Sequence, residues 1–145
     1  MIEANEIMEF DQLASEETLR TTKENMEKRG FTVQVVEGKD EALSKLKELI
    51  PAGASVYNGS SVTLEEIGFV DYLKQGSHAW NNLHGAMMAE KDGTKGMELR
   101  RQGLLSDYFL ASANAVAQTG EIVSTDNTGS RVGAFPFAAK HLFLV

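Results

Sequence analysis

A short strand, a turn and a helix are encoded by residues 54–67, which read ASVYNGSSVTLEEI. The first four residues favour a short buried strand, and the small polar residues that follow favour a turn. Thr63 and Glu66 have the spacing of a capping box at the start of a helix that carries Leu64 and Ile67. A strand that passes through a tight turn into a helix is the building unit of parallel α/β sheets, so this stretch predicts the fold class.

The rest of the chain repeats this alternation. We expect helices over 11–29, 40–50, 63–67, 71–75 and 97–105, and strands over 31–36, 54–57, 107–111, 121–124 and 141–145. Asp40 is the expected cap of the second helix, and residues 77–96, which have no sustained period, are expected to be loop with some helix. The prediction is one α/β domain over 1–145, with a mostly parallel sheet between two helical layers and residues 1–12 as an N-terminal extension.

Composition excludes several function classes. The chain has 145 residues, a net charge of −7 and no cysteine, so it can form no disulfide, thiolate zinc site or cysteine-ligated iron–sulfur cluster. The three histidines share no ligand spacing, and we predict no metal and no cofactor bound by this chain. With no basic stripe, no secretory signal and no long apolar stretch, we expect a cytoplasmic protein that binds neither nucleic acid nor a membrane.

The loop after the strand at 54–57 is the first candidate site. Its backbone N–H groups, the helix N-terminus and the hydroxyls of Ser60, Ser61 and Thr63 could bind a phosphate or a carboxylate near Gly59. The same hydroxyls could instead only cap the helix. Ligands of parallel sheets bind beyond the C-terminal ends of the strands, which is where this loop is expected.

Two later loops carry further candidates. Asn114 could contact a ligand or form an Asx turn. Arg131, one of two cations after residue 101, could clamp an anion bidentately or pair with Asp126 or Glu121. Glu121 and Asp126 are the only carboxylates near these loops and so the only candidate catalytic bases there, with Glu121 the first choice.

Two separated motifs carry a family resemblance. GSSVTLEEIG at 59–68 and NAVAQTGEIV at 114–123 resemble the LUD (lactate-utilisation) domain family. The similarity covers most of residues 13–145. The resemblance implies the α/β fold shared by ribose-phosphate isomerases, glucosamine-phosphate deaminases and CoA transferases.

The resemblance also implies a site and a role. It maps binding positions onto Gly59, Ser60, Ser61, Thr63, Asn114, Ala115, Gly129 and Arg131. The implied function is binding of a small anionic metabolite in lactate or organic-acid utilisation, within a complex that includes iron–sulfur partner subunits. An isomerase or CoA/acyl-transfer enzyme, with Glu121 as its base, and a non-catalytic subunit or scaffold are the alternatives. Since the family pattern continues past Val145, we expect a sheet edge or an apolar face that another subunit covers, as in a homo-oligomer.

Overall fold

The computed structural model describes residues 13–145, which form two compact units. The described part of the smaller unit is 13–34 with 116–121, and the larger unit is 35–115 with 122–145. The expected extension over 1–12 lies outside the described residues, and the single domain over 1–145 stays a prediction. Among residues 13–145 there is no helix with both the length and the apolar character needed to cross a membrane.

Helix α1 (Glu16–Lys28) forms the body of the smaller unit. Ser15 caps it by accepting a hydrogen bond from the Thr18 N–H at 3.2 Å. Asn25 donates from its side chain to the Gln118 carbonyl at 2.9 Å. Gly120, at φ +93°, comes so close to the helix that a Cβ there would lie 2.8 Å from the backbone carbon of Asn25. The turn over 116–121 is therefore held against α1 by close contact between backbones.

The larger unit contains the sheet. Its helices are α2 (Lys39–Leu49), α3 (Val62–Glu66), α4 (Phe69–Gln75), α5 (Leu83–Ala89), α6 (Gly93–Gly103) and α7 (Ser130–Gly133), which runs into a π-helical turn at Ala134–Ala138. Its strands are β1 (Ser55–Asn58), β2 (Asn81–Asn82), β3 (Tyr108–Ala111) and β6 (His141–Leu144). Two-residue strands β4 (Ala115–Val116) and β5 (Ile122–Val123) lie where the chain passes between the units.

The four-stranded sheet has the order β2-β1-β3-β6, and every pair is parallel. Tyr57 of β1 lies opposite Phe109 of β3, which lies opposite Leu142 of β6. Parallel neighbours need crossover connections, and helices supply them here, which confirms the predicted α/β class.

Side chains alternate between the two faces of the sheet and build two clusters. Val56 and Leu110 pack on one face with buried residues of α2, α3 and α4, namely Leu46, Leu64, Phe69 and Leu73. Tyr57 and Phe109 pack on the opposite face with α5 and with the π-helical turn, through Leu83, Met87 and Ala134. A sheet buried on both faces by helices is the predicted three-layer arrangement.

Three local predictions are wrong: the strand over 31–36, the cap of α2 and the start of α3. Residues 31–36 form no strand. Within residues 13–145 no strand pairs with this period-two pattern, and Phe31 and Val35 are exposed. Asp40, the predicted cap of α2, lies inside the first turn of the helix, and Gly38 is the residue before it. The Glu41 carboxylate accepts the Glu37 N–H at 2.8 Å at this end of the helix.

Helix α3 begins earlier than its apparent capping box. Ser61 is extended, at φ −155° and ψ 118°, and its hydroxyl accepts the Leu64 N–H at 3.1 Å. Thr63 is therefore already inside the first turn, which places the N-terminus of α3 closer to the end of β1 than predicted.

Candidate functional site

A cavity of about 550 Å³ lies at the C-terminal end of β1, within the larger unit. We call it the strand-end cavity. Apolar side chains of Tyr57, Met87, Leu104 and Phe109 line part of it. Its polar and charged lining comes from the end of β1 and the loop after it, from α3, α5 and α6, and from α7 and the loop before it: Asn58, Ser60, Ser61, Glu65, His84, Arg100, Asp126, Asn127, Thr128, Ser130 and Arg131.

The loop after β1 is held by the sheet and by α3. The Gly59 N–H donates to the Leu110 carbonyl at 2.8 Å, which extends the β1–β3 ladder past the strand end. Ser61 is buried and its hydroxyl is used as the cap of α3. Ser60 is exposed and lines the cavity, whereas Thr63 is not among the lining residues, so we expect the Ser60 hydroxyl to be the one that can reach a ligand.

Arg131, the second residue of α7, reaches the cavity and connects the loop after β1 with the loop before α7. One terminal nitrogen, Nη1, donates to the Ser60 carbonyl at 3.1 Å, and Nη2 donates to the Thr125 carbonyl. A guanidinium has five N–H groups, so each terminal nitrogen keeps a second donor. The buried Nε–H has no acceptor among the described residues. The side chain therefore braces the loops and still offers donors to an anion.

Gly59 leaves room for this approach of Arg131. A Cβ at Gly59 would lie 3.2 Å from both Cδ and Cγ of Arg131, closer than ordinary carbon–carbon contact. The absence of a side chain at residue 59 lets the arginine stem pass directly over the strand end.

Asp126 is the acceptor for the start of α7. Its carboxylate accepts the N–H groups of Thr128 at 3.1 Å, of Val132 at 3.2 Å and of Arg131. Burial raises the pKa of Asp126, but these three donors and the Arg131 charge lower it by more, so the carboxylate stays ionised. The side chain of Asp126 thus occupies the N-terminus of α7, and an external anion has to bind elsewhere in the cavity.

His84, Tyr57 and Arg100 are cavity residues that sequence reasoning missed. The Nδ1 atom of His84 lies 2.7 Å from the Asn58 carbonyl oxygen, and the ring lies 5.3 Å from that of Tyr57. Burial raises the pKa of Tyr57, although the Arg100 guanidinium beside it opposes the shift. These residues come from α5, β1 and α6, so no sequence spacing could have joined them.

Gly59, Ser60, Ser61 and Arg131, predicted from separate loops, line one cavity. Their role in binding stays a prediction.

The other predicted positions lie off the lining. Thr63 is inside α3, and Gly129, at φ +73°, precedes α7. Asn114 supports the cavity indirectly, through Thr125. Its Oδ1 accepts the Thr125 N–H at 2.9 Å, and the Thr125 carbonyl accepts a hydrogen bond from Arg131. Ala115 is an exposed residue of β4. These contacts give Asn114 a loop-bridging role.

Glu121 belongs to the smaller unit. Its carboxylate accepts a hydrogen bond from the Thr119 hydroxyl and forms a salt bridge with Arg29. The Thr119 hydrogen bond is the main cause that lowers the pKa of Glu121. The carboxylate is thus held ionised by its neighbours, and its catalytic role stays a prediction.

Comparison with protein families matches residues 19–145 to the LUD domain. No curated protein and no solved structure matches the chain. Within residues 13–145 no group of three or more His, Asp or Glu side chains is arranged to hold a metal ion. The family match covers both loops of the strand-end cavity and well over half of the sequence, and the chain therefore belongs to the LUD domain family.

Proposed function

We propose that the strand-end cavity binds a small anionic metabolite, a carboxylate or a phosphate, in a function related to lactate or organic-acid utilisation. The observation that carries the proposal is the convergence of Arg100 and Arg131 on one cavity beside the exposed hydroxyl of Ser60. Guanidinium groups are suited to carboxylates and phosphates because their N–H groups match two oxygens at once. Membership of the LUD domain family suggests the connection with lactate utilisation.

The charges of the lining favour an anion beside Arg100. Two carboxylates, Glu65 and Asp126, also line the cavity. Asp126 is already satisfied by three backbone N–H groups, whereas Arg100 has no carboxylate within salt-bridge distance among the described residues. An anion that enters the cavity can therefore pair with Arg100 without breaking a salt bridge of the described chain.

The size of the cavity also supports ligand binding. A volume of about 550 Å³ falls within the roughly 300–1,000 Å³ of small-molecule sites. This is more room than a three-carbon acid needs, so sugar phosphates and the phosphate end of CoA belong in a ligand panel beside L-lactate and pyruvate.

Calorimetry with this panel tests the proposal. Arg100→Gln removes a cation from the lining, and Arg101→Gln makes the same change at the next residue, which is exposed and pairs with Glu98. Loss of one charge-assisted hydrogen bond costs about 1.5–3 kcal/mol, so we expect Arg100→Gln to weaken binding at least about tenfold. Arg101→Gln should bind like the wild type. Absence of binding by every member of the panel, or equal loss in both variants, would contradict the proposal.

The same proposal includes partner chains. The sequence has no cysteine, so any iron–sulfur cluster of a lactate-oxidising complex would be carried by other subunits. We propose that this chain contributes the anion site and its partners contribute electron transfer. Affinity purification of the tagged protein from its native host, followed by iron analysis of the co-purified chains, tests this; recovery of the chain alone under mild conditions would contradict it.

A further inference from the structure

His84 lines the strand-end cavity, and its imidazole has a defined tautomer. A carbonyl oxygen can only accept a hydrogen bond, so the 2.7 Å contact with the Asn58 carbonyl requires the proton to be on Nδ1. In the neutral ring the lone pair is then on Nε2. The only buried side-chain polar atom without a partner in the described chain is Arg131 Nε, so Nε2 of His84 is accessible rather than enclosed.

The environment of His84 keeps it neutral. Burial lowers its pKa below 6.5; the hydrogen bond to Asn58 opposes this shift, and the charges of Arg100 and Lys74 add to it. Tyr57 of β1 contacts the ring, the charges of Lys74 in α4 and Arg100 in α6 act on it, and the carboxylates of Glu65 and Asp126 lie on the lining of the same cavity. At neutral pH the ring can therefore accept a proton through Nε2.

A proton acceptor is useful only next to groups that stabilise the charge it creates. Burial raises the pKa of Tyr57, so its hydroxyl remains protonated and can donate a hydrogen bond. The Arg100 guanidinium lies beside that hydroxyl. A neutral imidazole, a phenol and a guanidinium thus line one cavity, which is the set required to take a proton from a carbon and to stabilise the resulting oxyanion.

The fold holds this imidazole in place. Asn82 caps α5 by accepting the Gly85 N–H at 2.8 Å, which fixes the first turn that carries His84. The contact with Asn58 connects the ring to the end of β1. The ring is therefore anchored to both a helix and the sheet before any ligand binds.

We propose that His84 is a catalytic base that removes a proton from the carbon next to a carbonyl group of an anionic ligand in the strand-end cavity. The C–H bond breaks, its electron pair forms a C=C bond, and the carbonyl π pair moves to oxygen to give an enolate. The proton goes to Nε2. Return of a proton to the same carbon, as the oxyanion pair re-forms the C=O bond, completes exchange. No oxidant or reductant is needed. This inference rests on the proposed anion-binding function and replaces Glu121 with His84 as the base.

Hydrogen–deuterium exchange measured by NMR in D₂O tests the inference, with pyruvate and dihydroxyacetone phosphate as probes. We expect the wild-type protein to accelerate loss of the protons next to the carbonyl group. His84→Asn keeps an N–H donor for the Asn58 carbonyl but has no Nε2, so exchange should fall by about 10²–10⁴-fold while calorimetry still detects binding. The control is His141→Asn, the same substitution at an exposed residue of β6, which should leave exchange unchanged.

A pH profile of the wild type gives a readout that needs no variant. At probe concentrations well below saturation, where the rate reports the free protein, the exchange rate should rise with pH up to a plateau, with its midpoint below 6.5, because the base must be unprotonated. A probe that binds without faster exchange would overturn the role of His84 and leave the binding function standing. Exchange that persists in His84→Asn, or that has no midpoint below 6.5, would also overturn it. If neither probe binds, the inference falls together with the proposed function.

Discussion

Replacing Gly103 with Ala would insert a methyl group where the ring of Tyr57 already lies. A Cβ at this last residue of α6 would be 2.2 Å from Cδ2 and 2.4 Å from Cε2 of the ring, whereas carbon atoms in contact are about 3.5–4.0 Å apart. The Tyr57 ring stacks on the Phe109 ring, with 5.8 Å between the ring centroids. Its centroid lies 5.3 Å from that of the His84 ring. Overpacking of this kind costs about 1–3 kcal/mol, and alanine recovers less than about 1 kcal/mol in helix propensity. We expect a net destabilisation of about 1–2 kcal/mol.

Urea unfolding of two variants measures this effect. Gly96→Ala is the matched control, because it lies in the same helix and a Cβ there meets no atom within 4 Å. It should raise stability by about 0.5–1 kcal/mol through helix propensity alone. Each kcal/mol corresponds to about 2–4 °C in Tm for a chain near this size. Gly103→Ala that is as stable as Gly96→Ala would refute the packing of Tyr57 against α6 and, with it, the geometry of the cavity.

Three further predictions concern local contacts. Gly120→Ala combines a positive φ with a Cβ 2.8 Å from the Asn25 backbone, so its Tm should fall by several degrees and the amides of α1 should exchange faster with solvent; an unchanged Tm would contradict this. Ser61→Ala removes the cap of α3 and should cost about 1 kcal/mol in urea unfolding, whereas a neutral result would refute the cap. The Ser55 N–H and hydroxyl lower the pKa of Asp107 to about 2, so this carboxylate stabilises the fold above about pH 4 and the stabilisation is lost as pH falls toward 2. The stability difference between wild type and Asp107→Asn should therefore shrink over that range, and a constant difference would contradict it.

The parallel sheet could be predicted because its strands are short apolar runs followed by small residues and helices. The run over 54–57 and the run over 107–111 became β1 and β3 within one or two residues. The alternating residues 31–36 have an equally strong strand pattern and form none. A strand exists only where a neighbour takes its hydrogen bonds, and a local pattern carries no information about the neighbour.

The candidate site was predictable only where it follows the ends of strands. Gly59 and Ser60 come directly after β1, so the rule for parallel sheets locates them. Arg131 was singled out because cations are rare in that part of the chain. His84 and Arg100 come from helices in a segment with weak periodicity, and only packing against Tyr57 gives them a place in the cavity.

Both proposed functions require a small anion to bind in the strand-end cavity. The most direct measurement is a titration of ¹⁵N-labelled protein with pyruvate, L-lactate and a sugar phosphate, followed by ¹H–¹⁵N NMR. We expect the largest saturable shifts at the amides of Gly59, Ser60 and Arg131 and at the side-chain signals of Arg100, with the amides of α1 unchanged. Absence of saturable shifts, or shifts confined to α1 and the turn over 116–121, would contradict it.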